Sequence, residues 1–167
     1  IKFLKNFKNN KKAKIIYCPP NTLIEPLRKK LKNSKIHIGA QNCHENNDFG
    51  PFTGFVNSRM LKSVGAEYVI IGHSENRRLG ENNKLINLKI KNSLNAGLKV
   101  IFCIGETIKE KRKRITKKVL NRQINQGLDK IGSKSKKNIL IAYEPVWSIG
   151  TGLIPKNKDL YEIIDFI

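Results

Sequence analysis

Tyr68-Val69-Ile70-Ile71-Gly72-His73-Ser74-Glu75 is a short apolar run that stops at a glycine and turns polar and ionisable at once. A run of this length, rich in β-branched residues and apolar at every position, suits a strand buried on both faces, as in a parallel sheet. The pattern recurs on either side of it. Ile15-Ile16-Tyr17-Cys18, closed by Pro19-Pro20, and Ile36-His37-Ile38-Gly39-Ala40 precede it. Val100-Ile101-Phe102-Cys103-Ile104 and Ile139-Leu140-Ile141-Ala142-Tyr143 follow.

The segments between these runs read as helices. Thr22-x-x-Glu25 predicts a capping box ahead of Leu23, Leu27 and Leu31. Asn57-Ser58 is placed to cap a helix carrying Met60, Leu61 and Val64. Leu85, Leu88 and Leu94 lie on another, closed by Gly97. Thr107-x-x-Glu110 opens one long helix with Ile108, Ile115, Val119, Ile124, Leu128 and Ile131 on a single face, its Lys111–Arg114 cluster solvated. A last helix begins near Asp159, and residues 1–12 read as the tail of a preceding helix. Residues 1–167 thus form one domain in which strands and helices alternate. That alternation means a parallel α/β sheet. The pattern leaves an open doubly wound sheet and a barrel both standing.

The 167 residues suffice for a real core. No apolar run approaches the ~18 residues of a membrane span, so no membrane partner is expected. Cys18, Cys43 and Cys103 are an odd, widely spaced set without a C-x-x-C pair, which fits neither a disulfide framework nor a zinc site. A reducing cytoplasm is the expected setting. The net charge of +20 raises the question of nucleic acid. Only seven of the 33 basic residues are Arg, the side chain that base reading favours, and the rest are Lys. The Lys111–Lys118 run also lacks the aromatic residues a single-strand binder interleaves. No nucleic-acid partner is therefore expected. A basic surface would also steer a phosphorylated substrate inward.

Polar groups collect where the apolar runs end: Gln41-Asn42, Gly72-His73-Ser74-Glu75, Gly105-Glu106-Thr107 and Glu144-Pro145. In parallel α/β folds the C-terminal edge of the sheet is where sites are built. A helix starting after His73 favours a neutral ring, whose one N–H can be donated to a substrate oxygen. Glu144 precedes Pro145, the only tryptophan (Trp147), and Gly150-Thr151-Gly152, whose backbone N–H groups can receive a phosphate. Each residue also has a plain reading. His73 would be a hydrogen-bonded strand-end histidine, and Glu144 a surface carboxylate paired with lysine. His37 and His44 have no companions in sequence and read as structural.

Tyr68 to Glu75 resembles one conserved motif of the triosephosphate isomerases. Ala142-Tyr143-Glu144-Pro145-Val146-Trp147-Ser148-Ile149-Gly150-Thr151-Gly152 resembles a second, in the same order and at the expected separation. Gly39-Ala40-Gln41-Asn42, Phe52-Thr53-Gly54 and Cys103-Ile104-Gly105-Glu106-Thr107 match as well. The resemblance implies a (β/α)₈ barrel, with the second to sixth strands and their helices present. The first strand, with its Asn-x-Lys motif, and the last two strands are expected to lie outside these residues. It implies interconversion of dihydroxyacetone phosphate and D-glyceraldehyde 3-phosphate, in glycolysis and gluconeogenesis, without metal or organic cofactor. Glu144 would be the general base and His73 the neutral electrophile, with Ser74 and Glu75 in support. Gly150 would bind the phosphate. Pro145, Val146, Trp147, Ser148, Ile149, Thr151 and Gly152 would form a lid running to about Pro155. A homodimer is implied, with Gln41 and Thr53 at its contact. Three positions depart from the family: Phe55 follows Phe-Thr-Gly where an acid is usual, Asn76 follows His-Ser-Glu where Arg is usual, and Leu153-Ile154-Pro155 replaces a Lys-Thr-Ala-like hinge. The first two are the halves of a cross-dimer ion pair and are lost together. The competing expectations are an inactive relative or another phosphate-binding barrel and, from a different class, a basic nucleic-acid module.

Overall fold

The computed structural model describes residues 13–167, and the helix tail expected over residues 1–12 lies outside them. Five parallel strands make one sheet: β1 Ile16–Tyr17, β2 His37–Ala40, β3 Tyr68–Ile71, β4 Lys99–Ile104 and β5 Ile139–Tyr143. Their spatial order is β1-β2-β3-β4-β5, the order of the sequence. That order resolves the question the pattern left open. A doubly wound sheet reverses its strand order partway so that helices cover both faces. Here every crossover steps the same way, which places the helices on one face and makes the sheet the arc of a barrel.

Register separates the two faces. Val69 lies opposite Val100 and Ile71 opposite Phe102, while Val100 and Phe102 continue to Ile139 and Ile141. Val69, Ile71, Val100 and Phe102 are fully buried and join Ile24, Leu27, Leu61, Ile86, Ile90 and Leu120 from the helices in one apolar core. The opposite face carries Ile70, Ile101 and Leu140 in register. It is the barrel interior, and Leu140 on the edge strand is 47% exposed there.

The helices are α1 Ile24–Lys30, α2 Ser58–Ser63, α3 Ser74–Arg78, α4 Asn83–Asn95, α5 Ile108–Arg112, α6 Thr116–Gly127, α7 Ser133–Lys136 and α8 Asn157–Phe166. Asn57 caps α2 as expected, its side chain accepting from the Met60 N–H. Thr107 and Glu110 form the expected capping box on α5. Two expectations are corrected, at the start of α1 and on the helix from Thr107, while Leu85, Leu88 and Leu94 share α4 as expected. The Thr22–Glu25 box does not form, because Asn21–Leu23 is a 3-10 turn. That turn rotates Leu23 outward and puts Ile24, Leu27 and Leu31 in the core. On α4 the buried stripe is Ile86, Ile90 and Ser93 with Asn87 and Lys89, and Leu88 is exposed. The long helix expected from Thr107 breaks at Arg114, whose φ of 55° is left-handed. The break lets α6 restart in its own direction and pack Val119, Leu120 and Gln123 inward. Among the described residues no helix is long and apolar enough to cross a membrane.

Candidate active site

β3 ends at Gly72, whose φ of +78° is the left-handed conformation that glycine adopts without a Cβ clash. The turn brings His73 to the N-cap of α3, where its Nδ1 accepts the Glu75 backbone N–H at 3.3 Å. A nitrogen that accepts from a backbone N–H carries no proton of its own, so the ring proton is assigned to Nε2. That leaves the Nε2–H as the one ring donor, facing away from the α3 backbone.

Glu144 follows β5, held by its backbone N–H to the Ile104 carbonyl at 2.9 Å. Its side chain reaches across the end of β4. Oε1 accepts the Ser74 N–H at 2.8 Å, and Oε2 lies 3.1 Å from His73 Nε2. Glu144 and His73, 71 residues apart in sequence by their numbering, therefore share a hydrogen bond. The close approach of β4 and β5 needs a glycine at 105, since a Cβ there would lie 1.9 Å from the Glu144 carbonyl oxygen. Burial raises the Glu144 carboxyl above its ordinary value. The Ser74 N–H, His73 and Arg77 oppose that rise and Glu75 adds to it, burial being the largest effect.

Of the other expected residues, some lie beside this pair and others do not. The Glu75 carboxylate is 75% exposed and 3.7 Å from His73 Nδ1, so it is the backbone of Glu75 that orients the ring. Ser74 contributes its N–H, while its buried Oγ has no hydrogen-bond partner among the described residues. Beside His73 opens a cavity of about 460 Å³ lined by Pro20, Asn21, Gln41, Asn42, Ile70, Glu75 and Asn76. Gln41 lies on that cavity and donates to the Cys18 carbonyl at 3.1 Å. Thr53 is exposed on the loop between β2 and α2, a position the pair itself does not use.

After Pro145 the chain forms a 3-10 turn, Val146–Ser148, and then two left-handed glycines, Gly150 and Gly152, with open space where a Cβ would point. Thr151 Oγ1 donates to the Trp147 carbonyl at 2.8 Å and accepts the Leu153 N–H at 3.2 Å. Ser148 Oγ donates to the Pro145 carbonyl at 2.9 Å, and Ile149 is exposed.

Sequence reasoning missed the group that anchors this segment. Glu106 is buried and accepts from Trp147 Nε1 at 2.7 Å and from the Tyr143 hydroxyl at 3.0 Å. Its carbonyl also accepts the Val146 N–H at 3.1 Å. Burial, and then the Glu106 carboxylate, push the Tyr143 hydroxyl up from its ordinary value, so it stays a donor. Lys111 Nζ sits 3.3 Å above the Trp147 ring. The one available signal was Glu106 itself, an acid directly after an apolar strand. Arg77 and the buried Lys89–Glu81 pair were missed too, since a charged side chain in a helical pattern reads as solvated. His37 and His44 have structural partners as expected: His37 Nδ1 meets Glu67 at 2.7 Å, and His44 packs between Phe52 and Phe55.

The family model described as triosephosphate isomerase matches residues 1–167. A triosephosphate isomerase of Carboxydothermus hydrogenoformans is 44% identical over 154 residues, covering 92% of this chain and 61% of the relative. One from Dictyoglomus thermophilum is 41% identical over 170 residues, covering 99% and 68%. The crystal structure of triosephosphate isomerase from Bartonella henselae superposes with a TM-score of 0.83 at 37% identity, over 92% of this chain and 62% of that one. The chain spans about three fifths of the length of the first relative and of the superposed structure. Matched over its whole length and superposed on a solved barrel of the same kind, this chain belongs to the triosephosphate isomerase family.

Proposed function

We propose that the intact protein interconverts dihydroxyacetone phosphate and D-glyceraldehyde 3-phosphate, with Glu144 as the base and His73 as the electrophile. The observation that carries this reading is the 3.1 Å contact between Glu144 Oε2 and His73 Nε2 at the C-terminal edge of the sheet. A substrate entering between them places its carbonyl oxygen on the Nε2–H and the neighbouring C–H under the carboxylate. Glu144 removes that proton, and the C–H electron pair becomes a new C=C bond. The carbonyl oxygen gains negative charge, which the Nε2–H stabilises. The hydroxyl proton on the neighbouring oxygen passes to the former carbonyl oxygen by way of His73 Nε2, and the carboxylic acid returns its proton to the former carbonyl carbon, so that the C=O bond re-forms on the adjacent carbon.

A carboxylate raised by burial is a better base than an ordinary one, and Ser74, His73 and Arg77 oppose the rise. Pro145 to about Pro155 acts as the lid, with Gly150 giving a backbone N–H to the phosphate and the closed segment excluding water. This chemistry uses no metal and no organic cofactor. The setting is the cytoplasm, within glycolysis and gluconeogenesis. The protein acts as a homodimer, with Gln41 and Thr53 at the contact.

The test is Glu144→Asp in the intact protein. It retracts the carboxylate by about 1 Å and should lower kcat by ~10²-fold while the far-UV spectrum and melting curve hold. Turnover of triose phosphate equal to wild type would remove Glu144 as the base.

A further inference from the structure

Arg77 lies on α3, four residues after His73, and its guanidinium turns back under the strand ends. Nε donates to the Gly72 carbonyl at 2.7 Å, Nη2 to the Cys103 carbonyl at 3.2 Å and Nη1 to Asn83 Oδ1 at 2.7 Å. One side chain therefore ties the end of β3, the end of β4 and the first residue of α4 together. The attachment at Gly72 is tight, because a Cβ on that residue would come within 3.1 Å of Nη2. Gly72 is also the left-handed residue whose turn aims His73. None of the three bonds goes to a carboxylate. A largely buried cation has thus been placed on neutral acceptors beside the reacting pair. Such a charge is costly unless something nearby uses it.

We propose that Arg77 is a positioning residue for the proton-transfer pair: its fork fixes the Gly72 turn that orients His73, and its fixed charge acts on the Glu144 carboxylate. This rests on the reading of Glu144 as the base. The groups facing each partner are few. Around Glu144 they are His73, Glu75 and Arg77. Around Arg77 they are the Cys103 thiol, Glu144 and Glu81. Burial pushes the Cys103 thiol up to about 12, so it is neutral at pH 7. The carboxylates around Arg77 are therefore Glu144 and Glu81. Burial pulls the guanidinium below its ordinary value, and the negative groups around it oppose that pull. The fork does work that a lysine cannot, since one ammonium lacks the planar geometry to hold two carbonyls and a side-chain amide at once.

The charge and the fork can be separated. Asn83→Asp is nearly isosteric, suits the first turn of α4, and sets a carboxylate against Nη1, neutralising the charge while leaving the fork in place. Gln126, which accepts from Asn83 Nδ2 at 2.9 Å, can turn its amide to suit. Arg77→Lys keeps the charge and loses the fork. Two readouts are needed on the intact protein. One is the ¹³Cδ titration of Glu144, assigned by the signal that Glu144→Gln removes. The other is the pH dependence of kcat/KM.

In Asn83→Asp the Glu144 titration and the acid limb of kcat/KM should both move to higher pH. Activity on that acid limb should fall relative to wild type, with the loss shrinking as pH rises. In Arg77→Lys the titration should stay in place while kcat falls about tenfold at every pH and KM holds. A Glu144 titration unmoved in Asn83→Asp, or wild-type kcat in Arg77→Lys, would overturn the proposal. The NMR titration needs no turnover. A shifted titration in a protein without isomerase activity would uphold the electrostatic role of Arg77 and sink the functional reading. Full activity with an unmoved titration would do the reverse.

Discussion

Glu144 is a half-buried carboxylate with a raised pKa, and that has a consequence for stability. A group whose folded pKa lies above its unfolded value binds more protons in the native state across the window between the two. Stability then falls as pH rises through that window, which here begins at the ordinary carboxylate value. Relative to Glu144→Gln, the wild-type protein should lose stability between mildly acidic and neutral pH. The glutamine amide meets His73 Nε2 donor to donor, but that clash is a constant offset and leaves the pH slope alone. Urea unfolding of both proteins across the pH range reads the difference. A flat difference would mean that the three groups opposing burial cancel it.

At the scale of elements, the site depends on how closely strand ends approach one another. Gly105 lets β4 pass the β5 end with the Glu144 carbonyl where a Cβ would be. Gln123 on α6 secures that glycine from the other side, its Oε1 accepting the Gly105 N–H at 2.9 Å and its Nε2 donating to the Gly105 carbonyl at 3.0 Å. Gly105→Ala should therefore push the β4 and β5 ends apart, costing about 1–3 kcal/mol of stability and displacing Glu144. Loss of kcat should exceed any change in KM, measurable by steady-state kinetics beside a thermal melt. A smaller effect is expected at α2. Asn57 caps it through Oδ1 and donates from Nδ2 to the Asn47 carbonyl at 3.1 Å, so Asn57→Ala should cost about 1–2 kcal/mol.

At the scale of the whole molecule, the arc leaves two surfaces that bear on assembly. The first is the loop between β2 and α2, where Phe49 is 74% and Phe55 61% exposed. Phe55 and Asn76 stand where the family has an ion pair, so a dimer built on this loop is held by apolar burial. Its dissociation constant should change little between low and high salt, because Debye screening acts on exposed charges. Steep dissociation in high salt, followed by analytical ultracentrifugation, would contradict it. The second is the barrel-interior face of the sheet, with Leu140 half uncovered and β1 and β5 at its edges. Unpaired edges template association. A polypeptide of these 167 residues alone should unfold non-cooperatively in urea and tend to associate. Its isomerase activity should be at least about 10³-fold below that of the intact protein. A monomer with one sharp transition and full turnover would show the arc to be self-sufficient.

Much of this was legible along the chain. A strand buried on both faces must be apolar at every position, and a site at the sheet edge must put polar residues directly after it. Tyr68–Ile71 with His73, and Ile139–Tyr143 with Glu144, carry both marks in consecutive letters. Asn57 and Thr107 could be read as caps because capping is an interaction across three residues. What the letters left open was set by contacts between distant segments. The strand order that makes an arc, not a doubly wound sheet, depends on which strands pair, and every strand looks alike in one dimension. Arg114 breaks a helix that its periodicity would have continued, because α6 must turn to bury Leu120. Arg77, Lys89, Gln123 and Glu106 are ordinary surface letters until the fold buries them against the carbonyls and side chains of other elements. Local hydrogen bonding and hydrophobic period are properties of neighbouring residues, so the sequence alone determines them. The burial of a charge is a property of whatever the chain brings around it, and only the tertiary structure decides it.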